Sequence, residues 1–376
     1  MPADNSRKNG LKKLALVILS IWLITGCSGE KPLTLGYIGT PQGLKGAELA
    51  AAMANKTGGV RGHDVRIVSL DSAREPSLTD TAISFFDDED ALAIIDNSGA
   101  PTDTIPTRGV PFVVITGTVP APSTAISAKV AAVSSPLDTT GPAMADYLWK
   151  SGIVSVSIIV SADDQPYNNN WLTTFRNRYE ENKGVVLKIE NIPALKMASL
   201  ADIVNKAVLK ETAGLVIIAG SEKALEICRL AKSSRQELPI ALADPASTWQ
   251  IIDEEAPAAQ NAIVTRYLSN TNDKAAYRSF EDAFRENFDE TPTFSAAAVY
   301  DAANMLLTAI KGKKRLKSLG DSFAGISSHQ GSLGLIENKD GFFVHQTSLA
   351  RKGEKGYAPL GKIKKGKAGH RSVKGS

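Results

Sequence analysis

Between residues 33 and 71 two short apolar runs flank a helical stretch. The first run is Leu33-Thr34-Leu35-Gly36-Tyr37-Ile38; an Ala-rich segment from Leu44 to Lys56 follows, then Gly58-Gly59, then Val65-Arg66-Ile67-Val68-Ser69-Leu70-Asp71. A glycine pair closes a helix because glycine takes the left-handed backbone conformation without steric cost. Strand, helix and strand in that order make a βαβ unit, and a chain that opens this way starts a parallel sheet covered by helices.

The pattern recurs along the chain. Pro76–Phe86 is predicted as a helix and Ala91–Ile95 as a strand, followed by the polar loop from Asp96 to Thr102; Pro111–Thr116 and Val130–Ser134 are further buried strands. From Thr139 a second series begins. It comprises a helix to Lys150, strand Ser155–Val160, helix Trp171–Asn182, strand Val185–Ile192, helix Leu200–Lys210, strand Gly214–Ala219, helix Glu222–Ser233 and strand Pro239–Ala243. Strand Ala262–Leu268 precedes two long amphipathic patterns, Lys274–Phe288 and Phe294–Lys311. Near the end, Asp340-Gly341 between two apolar runs favours a tight hairpin. At 376 residues the length favours two lobes over one.

The first 26 residues have the composition of an export signal. Arg7, Lys8, Lys12 and Lys13 precede an apolar run, Leu14–Ile24, too short to span a bilayer. The run ends Ile24-Thr25-Gly26-Cys27, which resembles the lipobox of bacterial lipoproteins and implies lipidation at Cys27. A mature chain beginning there is expected to be anchored to the cell membrane or outer membrane through acyl chains, facing the periplasm or cell exterior. Residues 1–26 carry four basic residues and one acidic, so the remainder balances at 39 Lys+Arg against 39 Asp+Glu. Six of those bases lie in a Gly/Lys-rich tail, 361–376, expected to be disordered, which leaves the body mildly acidic and argues against a nucleic-acid partner. Cys27 and Cys228 are the only cysteines, so no intramolecular disulfide is expected, and Cys228 reads as a small core residue.

Gly46-Ala47-Glu48-Leu49-Ala50, Gly58-Gly59-Val60-Arg61-Gly62, Phe294-Ser295-Ala296-Ala297-Ala298-Val299-Tyr300-Asp301-Ala302 and the Gly331-to-Gly341 region resemble, in order and spacing, the branched-chain amino-acid binding proteins of ABC importers. The resemblance implies the type I periplasmic binding fold: two α/β lobes, each a mainly parallel sheet with helices on both faces, joined by three crossings. On that basis lobe 1 is 33–133 plus 266–331 and lobe 2 is 134–265 plus 332–360. It also implies a solute-binding role rather than an enzymatic one, with a small polar ligand such as an amino acid or amide and an ABC permease as partner. A non-transport lipoprotein of the same fold, binding a cell-envelope partner such as a cell-wall synthase, is the alternative.

Catalytic signatures do not compete with that reading. There is no P-loop, nucleophile elbow or paired-histidine zinc helix; His63, His329, His345 and His370 stand apart in sequence, and no metal or cofactor is expected. Gly36, Gly39 and Gly43 lack the spacing of a dinucleotide-binding turn. In a two-lobed α/β protein ligands sit beyond the carboxyl ends of the strands. The candidate ligand-binding residues are therefore Ser98 and Thr102 after the third strand, Thr118 after the fourth, Tyr167 after strand 155–160, Ser221 after strand 214–219, and Asp244 after strand 239–243. In relatives the equivalents of Tyr167 and Asp244 cover the ligand and meet its ammonium group. Each has a structural alternative: Ser98 and Ser221 as helix caps, Tyr167 packed on its own helix, and Asp244-Pro245 as an N-cap followed by proline. The short Gly39–Gly43 loop lacks the aromatic that relatives place over the ligand side chain, so weak binding of leucine, isoleucine and valine is expected.

Overall fold

The structure is a computed structural model that describes residues 31–71, 75, 77–99, 112–116, 129–133, 137–193, 199–246, 251, 256–267, 271–312, 319–339, 342–354 and 356–362. Leu33–Ser376 forms one compact unit. Its opening element is the expected one: β1 (Leu33–Gly39), α1 (Pro41–Lys56) and β2 (Val65–Asp71), with β1 and β2 paired in parallel from Leu33↔Val65 to Gly39↔Asp71. The helix begins three residues before the apolar pattern does. Thr40 is its N-cap, accepting the Gly43 N–H at 3.2 Å, and Pro41 occupies the first turn, where a missing N–H costs nothing.

The first sheet has eight strands in the order β11-β12-β13-β5-β4-β3-β1-β2, where β3 is Ala91–Asn97, β4 Phe112–Thr116, β5 Val130–Val133, β11 Ser328–Gly331, β12 Gly334–Lys339 and β13 Phe342–His345. Its β1 to β5 portion is parallel, β13 joins β5 in parallel, and β12 and then β11, at the edge, add to it antiparallel. Helices α1, α2 (Asp80–Asp88), α7 (Thr271–Phe288), α8 (Phe294–Gly312) and α9 (Leu319–Ala324) complete this lobe.

The second sheet has seven strands, β15-β14-β10-β9-β8-β6-β7. These are β6 (Ser155–Ser161), β7 (Val185–Ile192), β8 (Gly214–Ile218), β9 (Ile240–Leu242), β10 (Ile263–Arg266), β14 (Ser348–Lys352) and β15 (Tyr357–Lys362). Its helices are α3 (Leu137–Lys150), α4 (Gln165–Glu181), α5 (Leu200–Ala207) and α6 (Ser221–Ser234). The two-lobed α/β architecture with mainly parallel sheets is thus present.

The division of the chain between lobes differs from expectation at the third crossing. The sequence places 332–360 in lobe 2, whereas β12 and β13 belong to the first sheet and the chain passes over only between His345 and Ser348. The reason is pairing. Once β11 turns into β12, and Lys339 pairs with Phe342 across the hairpin, β13 has a partner in β5 through Phe342↔Ala132 and Phe343↔Val133. The helix expected at Trp171 instead begins at Gln165, preceded by Asp164.

Small residues bring α1 and α8 together at the heart of lobe 1. A Cβ added at Gly46 would lie 2.2 Å from the backbone carbonyl oxygen of Ala296, and Ala47, Ala50, Ala297 and Val299 are buried around this contact. Backbone cannot yield as a side-chain tip can. Gly46→Ala is therefore expected to cost about 1–3 kcal/mol by overpacking, measured as a lowered urea midpoint with an unchanged denaturant slope.

Candidate functional site

The carboxyl ends of the parallel strands bring two sets of groups to where the lobes meet. On lobe 1, Tyr37 near the end of β1 donates its hydroxyl to the Thr40 carbonyl at 2.8 Å, and a Cβ at Gly43 would lie 2.2 Å from that hydroxyl oxygen. The glycine therefore leaves room for the phenol. Asn97, the last residue of β3, donates to Thr116 Oγ1 at 2.9 Å and accepts from Ser295 Oγ at 2.6 Å, and Thr40 Oγ1 lies 3.3 Å from the same serine oxygen. Four elements are tied by this polar shelf. Ser98, beside it, is buried and gives its backbone N–H to Asp96 Oδ1 at 2.9 Å; burial pushes the Asp96 carboxyl upward and the bonds from Ser98 oppose that shift.

On lobe 2 the centre is Asp244, in a 3-10 turn (Asp244–Ala246) after β9, with 0% of its surface exposed. Its Oδ2 accepts three hydroxyls: Thr140 Oγ1 at 2.8 Å, Tyr167 at 2.7 Å and Tyr267 at 2.7 Å. Trp171 Nε1 approaches Oδ1 at 3.3 Å. A buried carboxylate needs such donors, because desolvated charge without them costs several kcal/mol. Burial, then the neighbouring Asp244 charge, raises the Tyr167 hydroxyl well above its ordinary range and keeps it a donor.

Aromatic rings fill the space beside this carboxylate. Tyr167, Trp171, Phe175 and Tyr179 recur every four residues along one face of α4; Trp171 stacks on Phe175 at 5.3 Å and Phe175 on Tyr179 at 5.4 Å. From the other lobe Phe294 enters, 5.0 Å from Tyr167 and 5.4 Å from Tyr267, and His345 meets the Tyr267 ring at 5.5 Å. A further link lies at Asp164, whose carboxylate accepts Ser295 N–H and Thr293 Oγ1, both at 3.3 Å.

Against this geometry the sequence candidates separate. Asp244 and Tyr167 are in direct contact, Ser98 lies on the opposite lobe beside the Asn97 shelf, and Ser221 is the buried first residue of α6. Thr102, Thr118 and Cys27 lie outside the described residues. Sequence reasoning did not single out Thr140, Trp171, Tyr267, Asn97, Ser295 or Asp164 as parts of this site. With α4 started at Asp164-Gln165-Pro166, the four-residue spacing of its aromatics would have exposed Trp171. Tyr267 follows β10 much as Asp244 follows the adjacent parallel strand β9. Among the described residues no group of three or more His, Cys, Asp or Glu is placed to hold a metal ion.

A family model described as periplasmic binding protein matches residues 35–322, well over half the chain. The chain belongs to the periplasmic binding protein family. Solved structures of this family's fold include the branched-chain amino acid transporter substrate binding protein LivJ from Streptococcus pneumoniae in complex with isoleucine, at 18% identity, 88% of this chain, 99% of that one and a TM-score of 0.58. A leucine binding protein LivK from Thermotoga maritima gives 18% identity, coverage of 89% and 99%, and 0.56. A solute binding protein of an ABC transporter from R. palustris, in complex with benzoate, gives 17%, coverage of 89% and 96%, and 0.59. No curated protein sequence matches. At these identities the likeness is one of fold. In this periplasmic binding protein no helix among the described residues is long and apolar enough to cross a membrane.

Removing the central acceptor should be felt throughout lobe 2. Asp244→Ala strands three buried hydroxyls and an indole N–H, at about 1–3 kcal/mol for each donor left unpaired, whereas Tyr267→Phe removes one bond and leaves the others. Urea unfolding should show a loss at least twice as large for Asp244→Ala as for Tyr267→Phe.

Proposed function

We propose that this protein is an extracytoplasmic solute-binding protein, lipid-anchored at Cys27, that holds a small polar molecule between its lobes and delivers it to an ABC permease. The observation that supports this most is the convergence of the carboxyl ends of two parallel sheets, with the Thr40–Asn97–Ser295 shelf on one side and the Tyr167–Asp244 cluster on the other. Such a protein works by hinge closure, with no covalent step. A ligand that bridges the lobes binds the closed state better and shifts the population toward it. The structurally similar proteins solved with isoleucine and with benzoate support a fold that takes ligands with an amine and without one.

The donor set around Asp244 bears on which molecule that is. An ammonium group would have to share a carboxylate that already accepts from four donors, three of them on Oδ2. Together with the absent aromatic cover near Gly39–Gly43, this disfavours leucine, isoleucine and valine as cognate ligands. A second reading, a partner-binding regulator of the same fold, is favoured by the packing of Phe294 against Tyr167 and Tyr267, which fills part of the cleft with the protein's own rings.

Thermal-shift screening of the Leu33–Ser376 unit against amino acids, amides and carboxylates, followed by small-angle scattering with the best hit, tests the proposal. A cognate small molecule that compacts the protein is expected; absence of any hit, or a hit that leaves the radius unchanged, favours the regulator. Titration calorimetry should give at most weak leucine binding, since the unburied side chain forfeits roughly 1.5–3 kcal/mol, one to two decades of affinity. Sub-micromolar leucine binding would refute that argument. Cys27→Ser should leave full-length precursor without lipid in mass spectra; a wild-type mature end at another residue would remove the anchor from the proposal.

A further inference from the structure

Asp164 stands at the N-cap position of α4 but makes no side-chain bond to the helix that it opens. Its backbone is left-handed, at φ 50°, a conformation aspartate tolerates better than most residues but at some cost. In that pose its carboxylate reaches across the cleft to the start of α8 in lobe 1, accepting the Ser295 N–H and the Thr293 hydroxyl. Ser295 is the group that Asn97 and Thr40 hold on the lobe 1 shelf. A cap diverted from its own helix to the other lobe's helix makes a bond that exists only while the lobes are together.

We propose that Asp164 is a proton-controlled latch between the lobes, closing the cleft when its carboxyl is protonated and loosening it when the carboxyl is charged. Half-buried where the lobes meet, the carboxyl is raised from 3.8 to about 6, with desolvation as the largest cause, the bonds from Ser295 and Thr293 opposing it and the Asp163 charge adding to it. Among the described residues no cation is paired with it. Asp163 is paired with Lys223 of α6, the start of α8 presents only neutral donors, and β1 presents the Tyr37 phenol, which is close to Asp96. Elsewhere across the cleft Glu222 accepts from Thr291 at 2.7 Å and lies 4.0 Å from Arg285.

The sign follows from the two states. With the lobes apart the carboxyl meets water and returns toward 3.8, so the closed state binds the proton more tightly. The closed-to-open ratio therefore rises as pH falls from about 6 toward 4, up to tenfold per pH unit, and is flat above about 7. Opening does not touch the other buried acid raised to about 6, Asp301, because its partners Ser332 and Leu333 lie in its own lobe. His345, held down to about 4, titrates at the bottom of the window.

Pulsed electron resonance on the Leu33–Ser376 unit reads the latch. Spin labels go on Ser84→Cys in lobe 1 and Asn177→Cys in lobe 2, both exposed; Cys228 is buried, with its thiol pushed up to about 12, and does not compete for label. The wild type should raise its short-to-long distance ratio at least tenfold between pH 7 and pH 4.5. Asp164→Asn, which suits the left-handed backbone and mimics the protonated acid, should hold that population at every pH. Thr293→Val, which removes one donor to the carboxylate without changing charge, should lower the closed fraction at pH 7 and move the midpoint upward, because the bond from Thr293 holds the carboxyl down. A distance distribution in the wild type that is flat with pH, or an Asp164→Asn protein that keeps the wild-type pH dependence, overturns the proposal.

Discussion

A carboxylate out of contact with water dictates what can stand around it, and Asp244 organises much of lobe 2 on that account. Thr140 from α3, Tyr167 and Trp171 from α4, and Tyr267 just past β10 all turn toward it. Each donor fixes the element that carries it. Tyr267 matters most for the architecture, since it sits where the chain leaves the second sheet for the first, so one bond ties the crossing to the base of the cleft. The same tyrosine is wedged between Phe294 and His345, which lie at the start of α8 and at the end of β13. Two of the three crossings are thus held by neighbours of a single buried charge.

Lobe 1 reaches the same place by different means. There, small residues let α1 and α8 approach until Gly46 touches the Ala296 carbonyl, and this closeness puts the N-terminus of α8 over the ends of β1 and β3. Ser295 then has two side-chain partners in its own lobe and, through its backbone, one in the other. An apolar helix contact, indifferent to pH and salt, therefore positions the polar groups that are sensitive to both.

How much of this was legible depends on the range of the interaction. The βαβ order, the two lobes and the hairpin at Lys339–Phe342 come from local patterning, and local patterning is what periodicity and turn residues report. Apolar periodicity alone starts the helices too late at Thr40-Pro41 and at Asp164-Gln165-Pro166, although a polar residue followed by proline in the first turn marks both. The third crossing was misplaced because strand partnership is not local: the choice of β5 as partner for β13 depends on which edge the first sheet leaves open. In the site, Asp244 and Tyr167 stood out as residues following strands. Thr140, Tyr267 and Phe294 did not, because a donor to a carboxylate more than 100 residues away, as Thr140 is, leaves no spacing to detect.

Two kinds of carboxylate consequently stand on the lobe 2 side of this cleft, and their surroundings assign them different work. Asp244 has its donors within one lobe and the crossing that leaves it, so opening the cleft need not break them. Asp164 has its donors on the far lobe, and its bonds are made and lost with closure. A site that recognised a cation directly would be expected to present an acid with spare acceptor capacity toward the opening. Here the acid at the base is committed to hydroxyls and the acid at the rim is committed to the opposite helix.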